Sequence, residues 1–261
     1  MNDLLEAILL GFIEGLTEFL PISSTGHLLI AEHWLGRRSD LFNVAIQAGA
    51  ILAVTLVYRT RIWELASTLH RRETRDYALK LLAAFTITAV LGLVAKSLGV
   101  ELPETVTPIA IALIVGGVAI LGIERHVRTL PPREVVTWGV VVAVGVAQVV
   151  AGIFPGTSRS AAAIFAAMLV GLSARPRAAE FAFLVGIPVM FAATGYELLS
   201  TYLGPGGVYS EPWVQLAVAF GVAAATGFAA VKWLLRWVSA HSFVPFAWYR
   251  ILLGLVLLAV T

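Results

Sequence analysis

Polar side chains able to do chemistry are concentrated within residues 14–27, EGLTEFLPISSTGH, inside the first hydrophobic segment. Glu14 and Glu18 are four residues apart, so a helix would place both carboxylates on one face. Ser24 and His27 are three residues apart, and a hydroxyl within reach of an imidazole is the minimal nucleophile–base pair. Ionisable side chains at membrane depth are costly and are by default functional. We therefore predict a catalytic cluster in this segment.

Two carboxylates on one face of a buried helix indicate a divalent-cation site. Like charges repel in a dry environment, so one carboxyl takes up a proton unless a cation lies between them. Oxygen ligands in a partly hydrated site suit Mg²⁺ or Ca²⁺, above all where a substrate adds phosphate oxygens. We predict such a site at Glu14 and Glu18. The alternative, two interfacial glutamates near a helix end, leaves the adjoining hydroxyls and His27 unexplained.

A run of small polar residues after Pro21 is predicted to begin a new helix. Serine and threonine are good N-caps, and capping alone would account for them. A helix N-terminus with free backbone N–H groups is also an anion site. His27 follows this run, and it would act as an acid or base with a carboxylate to orient its ring. The alternative is a buried histidine that only forms hydrogen bonds. The run that we predict to contact substrate is Ser23, Ser24, Thr25 and Gly26.

A second polar run, PGTSRS at residues 155–160, supplies a cation. Arg159 lies where a helix is predicted to restart, and a guanidinium at a helix N-terminus is a strong phosphate clamp. The alternative is an arginine that extends to the membrane interface. Acid, base, hydroxyl and cation are together what phosphoryl transfer requires. Further candidate substrate contacts are Gly156, Thr157, Ser158 and Ser160, with Gln47, which would line the site or bond between helices.

Composition assigns the chain to the membrane class. Of its 261 residues, 59% are hydrophobic and 13% are charged, against about 25% charged in soluble domains. The net charge of +2 gives no indication of nucleic-acid binding, and the lack of cysteine excludes disulfides and thiolate chemistry. Ten apolar stretches stand out, at 4–20, 24–36, 41–58, 79–99, 105–123, 134–153, 159–172, 179–203, 212–238 and 245–260.

Two of these stretches, 24–36 and 159–172, are too short to span a bilayer, and each follows a proline-centred break. Their polar tips cannot face lipid, so we predict re-entrant hairpins at 4–36 and 134–172 with tips buried in protein. The predicted fold is all-α, a polytopic membrane protein of about six spanning helices plus these two hairpins. It forms a single membrane domain, 1–261.

The order of elements predicts an inverted-topology repeat. Repeat one, about 1–124, and repeat two, about 134–261, each hold one hairpin followed by three spans. Repeats of this kind place a shared site near the midplane, where broken helices meet. Alignment of Pro21 with Pro155 sets Ser23-Ser24 against Thr157-Ser158, and Glu14 and Glu18 against Gln148 and Gly152.

Basic residues in the connections predict the orientation, because they favour the cytoplasmic side. Residues 59–80 hold six of them and are predicted to lie inside, as are Arg125, Arg128, Arg133, Arg175, Arg177, Lys232 and Arg236. Glu101, Glu104 and Glu211 are predicted to lie outside. Arg37 and Arg38 break the pattern, because the scheme places them outside as well.

The motifs EGLTEFLPISSTGHL and PGTSRS strongly resemble the two signature motifs of the bacterial undecaprenyl pyrophosphate phosphatases of the UppP/BacA type. The resemblance extends through FNVAIQAGAILAV, EFAFLVGIPVM and SFVPFAWYRILLG, so it covers nearly the whole chain. One departure is Ala161, where many members have glycine after SRS.

This resemblance implies a cytoplasmic (inner) membrane enzyme that hydrolyses undecaprenyl pyrophosphate to undecaprenyl phosphate, recycling the lipid carrier for peptidoglycan synthesis. It also implies a divalent cation and a site that opens to the outer, periplasmic face. On the matching motifs, Glu14 and Glu18 are the acidic residues, Ser24 the proposed nucleophile, His27 the essential histidine and Arg159 the phosphate-binding arginine. Whether serine or histidine attacks stays open.

The alternative function is transport of a phosphate-bearing lipid or anion, because inverted repeats with re-entrant hairpins are a transporter architecture. The two activities can also coexist in one chain. His27 beside Ser24 favours the enzyme, since binding alone does not need that pair. The expected partners are a polyprenyl pyrophosphate lipid and the surrounding membrane lipids, and a homodimer is compatible with the sequence.

Overall fold

A computed structural model of the chain describes residues 3–100, 105–203 and 212–260. All regular secondary structure within these residues is helical. The helices are α1 (Asp3–Thr17), α2 (Ser24–Leu35), α3 (Asp40–Val57), α4 (Arg59–Ser67), α5 (Arg72–Ser97), α6 (Val106–Val127), α7 (Trp138–Ile153), α8 (Arg159–Leu169), α9 (Arg175–Leu203), α10 (Trp213–Ala240) and α11 (Val244–Val260).

Among the described residues, five helices are long and apolar enough to cross a membrane, namely α3, α5, α6, α9 and α10. The sixth predicted span corresponds to α11, which is shorter at 17 residues. Large apolar side chains on α5 and α11 face outward, among them Leu82 and Leu252, as expected of helices surrounded by lipid. The predicted all-α polytopic membrane fold is confirmed.

Two boundaries between residues 58 and 79 differ from the prediction. An additional short helix, α4, occupies part of the predicted loop, and α5 begins at Arg72 rather than near residue 79. The added turns of α5 are polar, and Lys80 pairs with Asp76 one turn away at 2.6 Å. Hydropathy detects the apolar part of a helix, so polar turns that extend it into the aqueous layer are missed.

Helices of each half of the chain pack against helices of the other half, in matching pairs. Helix α1 packs against α10, and α7 packs against α5 in the corresponding way. Likewise α3 contacts α10 as α9 contacts α5, while α3 pairs with α9 and α6 with α11. Two repeats related by a two-fold axis would pack in this manner. The repeat boundaries and the opposite orientation of the halves in the membrane stay predictions.

Small residues let α10 lie close to α1 and α3. A Cβ added to Gly11 would lie 2.5 Å from the Ala219 carbonyl oxygen, and one added to Gly49 would lie 2.4 Å from that of Phe220. Membrane helices approach closely where their facing residues are small. This close packing holds α1, which carries Glu14, against the second half of the chain.

A buried carboxylate joins α6, α9 and α11 at one end of the molecule. Glu124 is fully buried and accepts two hydrogen bonds from Arg175, at 2.9 and 2.6 Å. Its third bond, at 2.9 Å, comes from the backbone N–H of Phe243 just before α11. A buried carboxylate needs this full set of donors to offset its desolvation.

The basic connections meet at the same end. Glu180 accepts hydrogen bonds from Arg61 at 3.0 Å and from Arg177 at 3.2 Å. The acidic residues predicted for the opposite side, Glu101, Glu104 and Glu211, lie outside the described residues. Arg38, one of the two exceptions to the charge pattern, forms an ion pair with Glu6 at 2.7 Å.

Candidate active site

Each hairpin turns through a serine with left-handed backbone geometry. Ser23 has φ 72° and caps α2, and its Oγ accepts from the Gly26 N–H at 3.3 Å. Ser158 has φ 68° and caps α8, and its Oγ accepts from the Ala161 N–H at 3.3 Å. Within the described ranges these are the two non-glycine residues with positive φ. Backbone strain of this kind costs free energy and clusters at functional sites.

These caps correct the alignment of the two hairpins. Ser23 corresponds to Ser158 in structure, whereas alignment on the prolines set it against Thr157. The reason is the length of the turn, since Ser23 follows Pro21 by two residues and Ser158 follows Pro155 by three. With this correction, Ser24 and Arg159 occupy equivalent positions at the first residue of α2 and α8.

The tips of the two hairpins are in contact. The Ser160 hydroxyl lies 3.3 Å from the Glu18 carbonyl oxygen and 3.2 Å from that of Leu20. Both tips also rest on α6, where a Cβ on Gly156 would lie 2.8 Å from the Ile109 carbonyl oxygen. Gly156 has φ 90°, so glycine is needed there both for backbone geometry and for space.

Glu18 joins reactive groups from both hairpins. Its Oε2 accepts a hydrogen bond from the Ser24 hydroxyl at 2.5 Å, and its Oε1 lies 3.6 Å from Nη2 of Arg159. The Glu18 side chain is 6% exposed and that of Arg159 is 29% exposed. The Arg159 guanidinium therefore pairs with a buried carboxylate from the other hairpin. A carboxylate that accepts from a hydroxyl is also placed to take its proton.

Two cavities adjoin this cluster. The larger, about 150 Å³, is lined by Glu14, Ser24, Thr25, Leu28, Leu29, Glu32, Arg37, Asn43, Gln47 and Ile109. The smaller, about 20 Å³, is lined chiefly by α7, α8 and α9 together with Glu18, and includes Gln148, Arg159 and Ser160. Only the larger has room for a phosphate group, and it brings the candidate residues Thr25 and Gln47 to the same space as Ser24.

Glu14 lines the larger cavity, and one of its two carboxylate oxygens has no partner. The side chain is 2% exposed, and its Oε2 has no hydrogen-bond partner. A buried carboxylate oxygen without a donor fits a cation ligand. Asn43, which was not among the residues predicted from the sequence, lines the same cavity, and its Oδ1 also has no hydrogen-bond partner.

Glu18 fits the predicted cation site less well than Glu14, because Ser24 and Arg159 already engage its oxygens. The described residues hold no cluster of three or more His, Asp or Glu side chains able to bind a metal. A divalent cation here would consequently depend on oxygens supplied by the substrate.

The imidazole of His27 has different partners from those expected. Its Nδ1 lies 2.7 Å from the Ser23 carbonyl oxygen, and its Nε2 lies 2.6 Å from the Tyr249 hydroxyl. The two rings are stacked, 5.6 Å apart and inclined by 5°. The ring is therefore oriented by a backbone carbonyl and a phenol, not by Glu14 or Glu18, and Ser24 is bonded to Glu18. Tyr249 was not among the site residues predicted from the sequence.

Arg250, the next residue, was also missed. It is fully buried, and its guanidinium donates to five backbone carbonyl oxygens. Three of these belong to the hairpin tips: Pro21 at 3.2 Å, Gly156 at 3.1 Å and Thr157 at 3.0 Å. Gly156 and Thr157 thus contribute carbonyls to the scaffold. The one feature of the sequence that could have identified Arg250 was its position as an arginine inside a predicted membrane span.

The assembled groups suit attack on a phosphate. A serine hydroxyl bonded to a carboxylate lies at the N-terminus of α2, and a guanidinium lies at the N-terminus of α8. Helix N-termini and arginine both favour phosphate oxygens. The arrangement can bind an anion, deprotonate a hydroxyl and stabilise the charge that develops on phosphorus oxygens.

The chain is similar in sequence to known proteins over nearly its whole length. The family described as "Bacitracin resistance protein BacA" matches residues 7–256. A protein named undecaprenyl-diphosphatase from Xanthomonas campestris pv. campestris (strain 8004) is 61% identical over 258 residues, which cover 99% of this chain and 98% of that protein. Proteins of the same name from Xanthomonas oryzae pv. oryzae (strain PXO99A) and Xylella fastidiosa (strain 9a5c) are each 60% identical, over 97% and 98% of their own lengths.

Proposed function

Because the chain belongs to the bacitracin resistance protein BacA family, we propose that it hydrolyses undecaprenyl pyrophosphate to undecaprenyl phosphate and inorganic phosphate. The relatives named undecaprenyl-diphosphatase match it from end to end. The observation that carries the proposal is the Ser24–Glu18–Arg159 cluster, in which a hydroxyl, a carboxylate and a guanidinium from two hairpins meet within hydrogen-bond or ion-pair distance.

In the proposed mechanism, Ser24 attacks the terminal phosphorus while its proton passes to Glu18. The Ser24 Oγ–P bond forms and the bond from phosphorus to the bridging oxygen breaks, so undecaprenyl phosphate leaves. Arg159 and the free N–H groups at the start of α2 and α8 hold the non-bridging oxygens, where negative charge develops. Water then attacks the phosphorylated Ser24 with His27 as the acid or base of that step. The Ser24 Oγ–P bond breaks, Glu18 returns the proton to Ser24, and inorganic phosphate leaves.

A divalent cation, Mg²⁺ or Ca²⁺, is part of the proposal. Glu14 would hold the ion together with a second oxygen ligand. That ligand would come from Glu18, as the sequence predicts, or from Asn43, which lines the same cavity. The ion would supply neutralisation of the diphosphate charge. The unpartnered Oε2 of Glu14 supports this assignment.

We further propose that the enzyme lies in the cytoplasmic membrane with its larger cavity open to the outer face. The basic connections at the end opposite to that cavity support the orientation. The prenyl tail would lie between helices, in contact with lipid. Recycling of the carrier lipid for peptidoglycan synthesis follows from the reaction.

The test is phosphate release from undecaprenyl pyrophosphate by the purified chain in detergent. Ser24→Ala, His27→Ala and Arg159→Ala should each lower kcat, the first two by about 100-fold or more, as for loss of a nucleophile or general base. Ser67→Ala, a change of the same kind on exposed α4, is the matched control and should leave turnover unchanged. Normal turnover in all three site variants would contradict the proposal.

A further inference from the structure

The hydrogen-bond partners of His27 determine where its ring proton lies. A backbone carbonyl oxygen can only accept, so Nδ1, 2.7 Å from the Ser23 carbonyl, must carry a hydrogen and donate it. In the neutral ring Nε2 then has no hydrogen and accepts, so the Tyr249 hydroxyl at 2.6 Å is the donor. The basic nitrogen of His27 is thus occupied by a phenol from α11.

We propose that Tyr249 is a catalytic residue, which relays the proton that His27 exchanges during hydrolysis and fixes the ring of His27 through Nε2. The inference rests on the proposed diphosphatase function. It adds a residue from the last helix, 222 positions along the chain from His27, to a site otherwise built from the two hairpins.

The scaffold around Tyr249 is built to hold this contact. Arg250, the next residue, bonds to the carbonyl of Pro21, two residues before Ser23. Ser23 in turn supplies the carbonyl that receives Nδ1–H of His27. The same stretch of α11 therefore holds the backbone partner of the imidazole in place and contacts its other nitrogen. A histidine bonded at both nitrogens in this way cannot rotate freely, so its tautomer is set before substrate binds.

The proton relay balances without any further reactant. The Tyr249 O–H bond breaks as its proton passes to Nε2 of His27, and the phenol oxygen takes a proton from the water that attacks the phosphorylated Ser24. The phenol ends neutral and the imidazole ends protonated. The water oxygen bonds to phosphorus as the Ser24 Oγ–P bond breaks, and Ser24 takes back its proton from Glu18. Tyr249 is 43% exposed, and its contact with Nε2 lies in an exposed position, so water can reach the phenol oxygen.

The test is Tyr249→Phe, which keeps the stacked ring and removes only the hydroxyl. We expect kcat to fall by about 10- to 100-fold, the size measured for outer groups that orient histidine ligands, with KM unchanged. Tyr58→Phe is the matched control, because the Tyr58 hydroxyl is buried and has no hydrogen-bond partner. It should leave kcat unchanged.

A second measurement does not depend on turnover. In protein labelled with ¹⁵N-histidine, the Nε2 resonance of His27 should move towards that of an unbonded imidazole nitrogen in Tyr249→Phe, while Nδ1 keeps its hydrogen. An unchanged kcat in Tyr249→Phe, an equal loss in Tyr58→Phe, or an unmoved Nε2 resonance would each overturn the proposal. If the wild-type chain released no phosphate, the proposed function would fail, while the resonance would still decide whether Tyr249 positions His27.

Discussion

At the scale of single residues, the site depends on Glu18. This carboxylate accepts the Ser24 hydroxyl on one oxygen and faces the Arg159 guanidinium with the other. Its burial makes both contacts stronger than they would be in water, because the surrounding dielectric is low. Glu14, four residues earlier, differs from Glu18, since it lines the larger cavity and its Oε2 has no hydrogen-bond partner.

Replacement of Glu18 by glutamine tests whether this carboxylate acts as the base for Ser24. Glu18→Gln keeps the side-chain volume but removes the acceptor for the Ser24 proton, so kcat should fall by about 10²–10⁴-fold, as for other general bases. Phosphate release from undecaprenyl pyrophosphate measures it. Glu64→Gln on exposed α4 removes a carboxylate that also bonds an arginine, and it should have no effect. Equal turnover in the two variants would contradict a role for Glu18 as base.

Glu14→Gln should act through the cation instead. If Glu14 is a ligand, added Mg²⁺ or Ca²⁺ should raise the thermal unfolding temperature of the wild-type chain, because a ligand that binds only the folded state stabilises it. Glu14→Gln should lose this shift. The expectation is contradicted if the cation stabilises both proteins equally, or neither.

At the scale of elements, α11 connects the two hairpins. Arg250 uses all five of its N–H donors on carbonyls, and three of those carbonyls belong to the turns that break the hairpins. Broken helices leave backbone groups unsatisfied at membrane depth, where no water can bond to them. The guanidinium satisfies these groups and holds both tips in one arrangement.

Arg250→Lys should therefore destabilise the fold, even though lysine keeps the positive charge. An ammonium has three donors against five, and each buried carbonyl left without one costs about 1–3 kcal/mol. We expect a lower thermal unfolding temperature in detergent than for wild type. Arg236→Lys, the same exchange on the exposed face of α10, should leave it unchanged. A wild-type unfolding temperature for Arg250→Lys would exclude this role.

At the scale of the whole molecule, each half supplies one hairpin and packs it against a span of the other half. The exchange of packing between α1–α10 and α7–α5 means that neither half completes the site alone. A transporter built from inverted repeats would share this arrangement. The Ser24–Glu18 contact distinguishes the enzyme, because binding alone does not require a hydroxyl placed against a base.

The orientation can be tested directly, because the chain contains no cysteine of its own. Arg37→Cys, at the larger cavity, should react with a membrane-impermeant thiol reagent in right-side-out vesicles. Arg128→Cys, beyond the exposed end of α6, should react only after the membrane is permeabilised. The reverse pattern would invert the proposed topology.

The sequence by itself determined the membrane fold and predicted the two hairpins and most of the polar side chains that meet at their tips. These features are local: a helix needs a long apolar run, and a polar cluster around Pro21 or before Arg159 stands out within one. The register of the caps was not determined in this way, since one added residue in the second turn shifts Ser158 relative to Pro155.

Only the tertiary structure decided which groups touch. Ser24 meets Glu18 across a turn whose backbone geometry no periodicity predicts, and Glu18 meets Arg159 because the two tips pack together. Tyr249 and Arg250 lie on a helix whose pattern is that of a lipid-facing span, and their partners are more than 90 residues away in sequence. Contacts across such separations depend on how the helices pack, and helix packing is not encoded in any single segment.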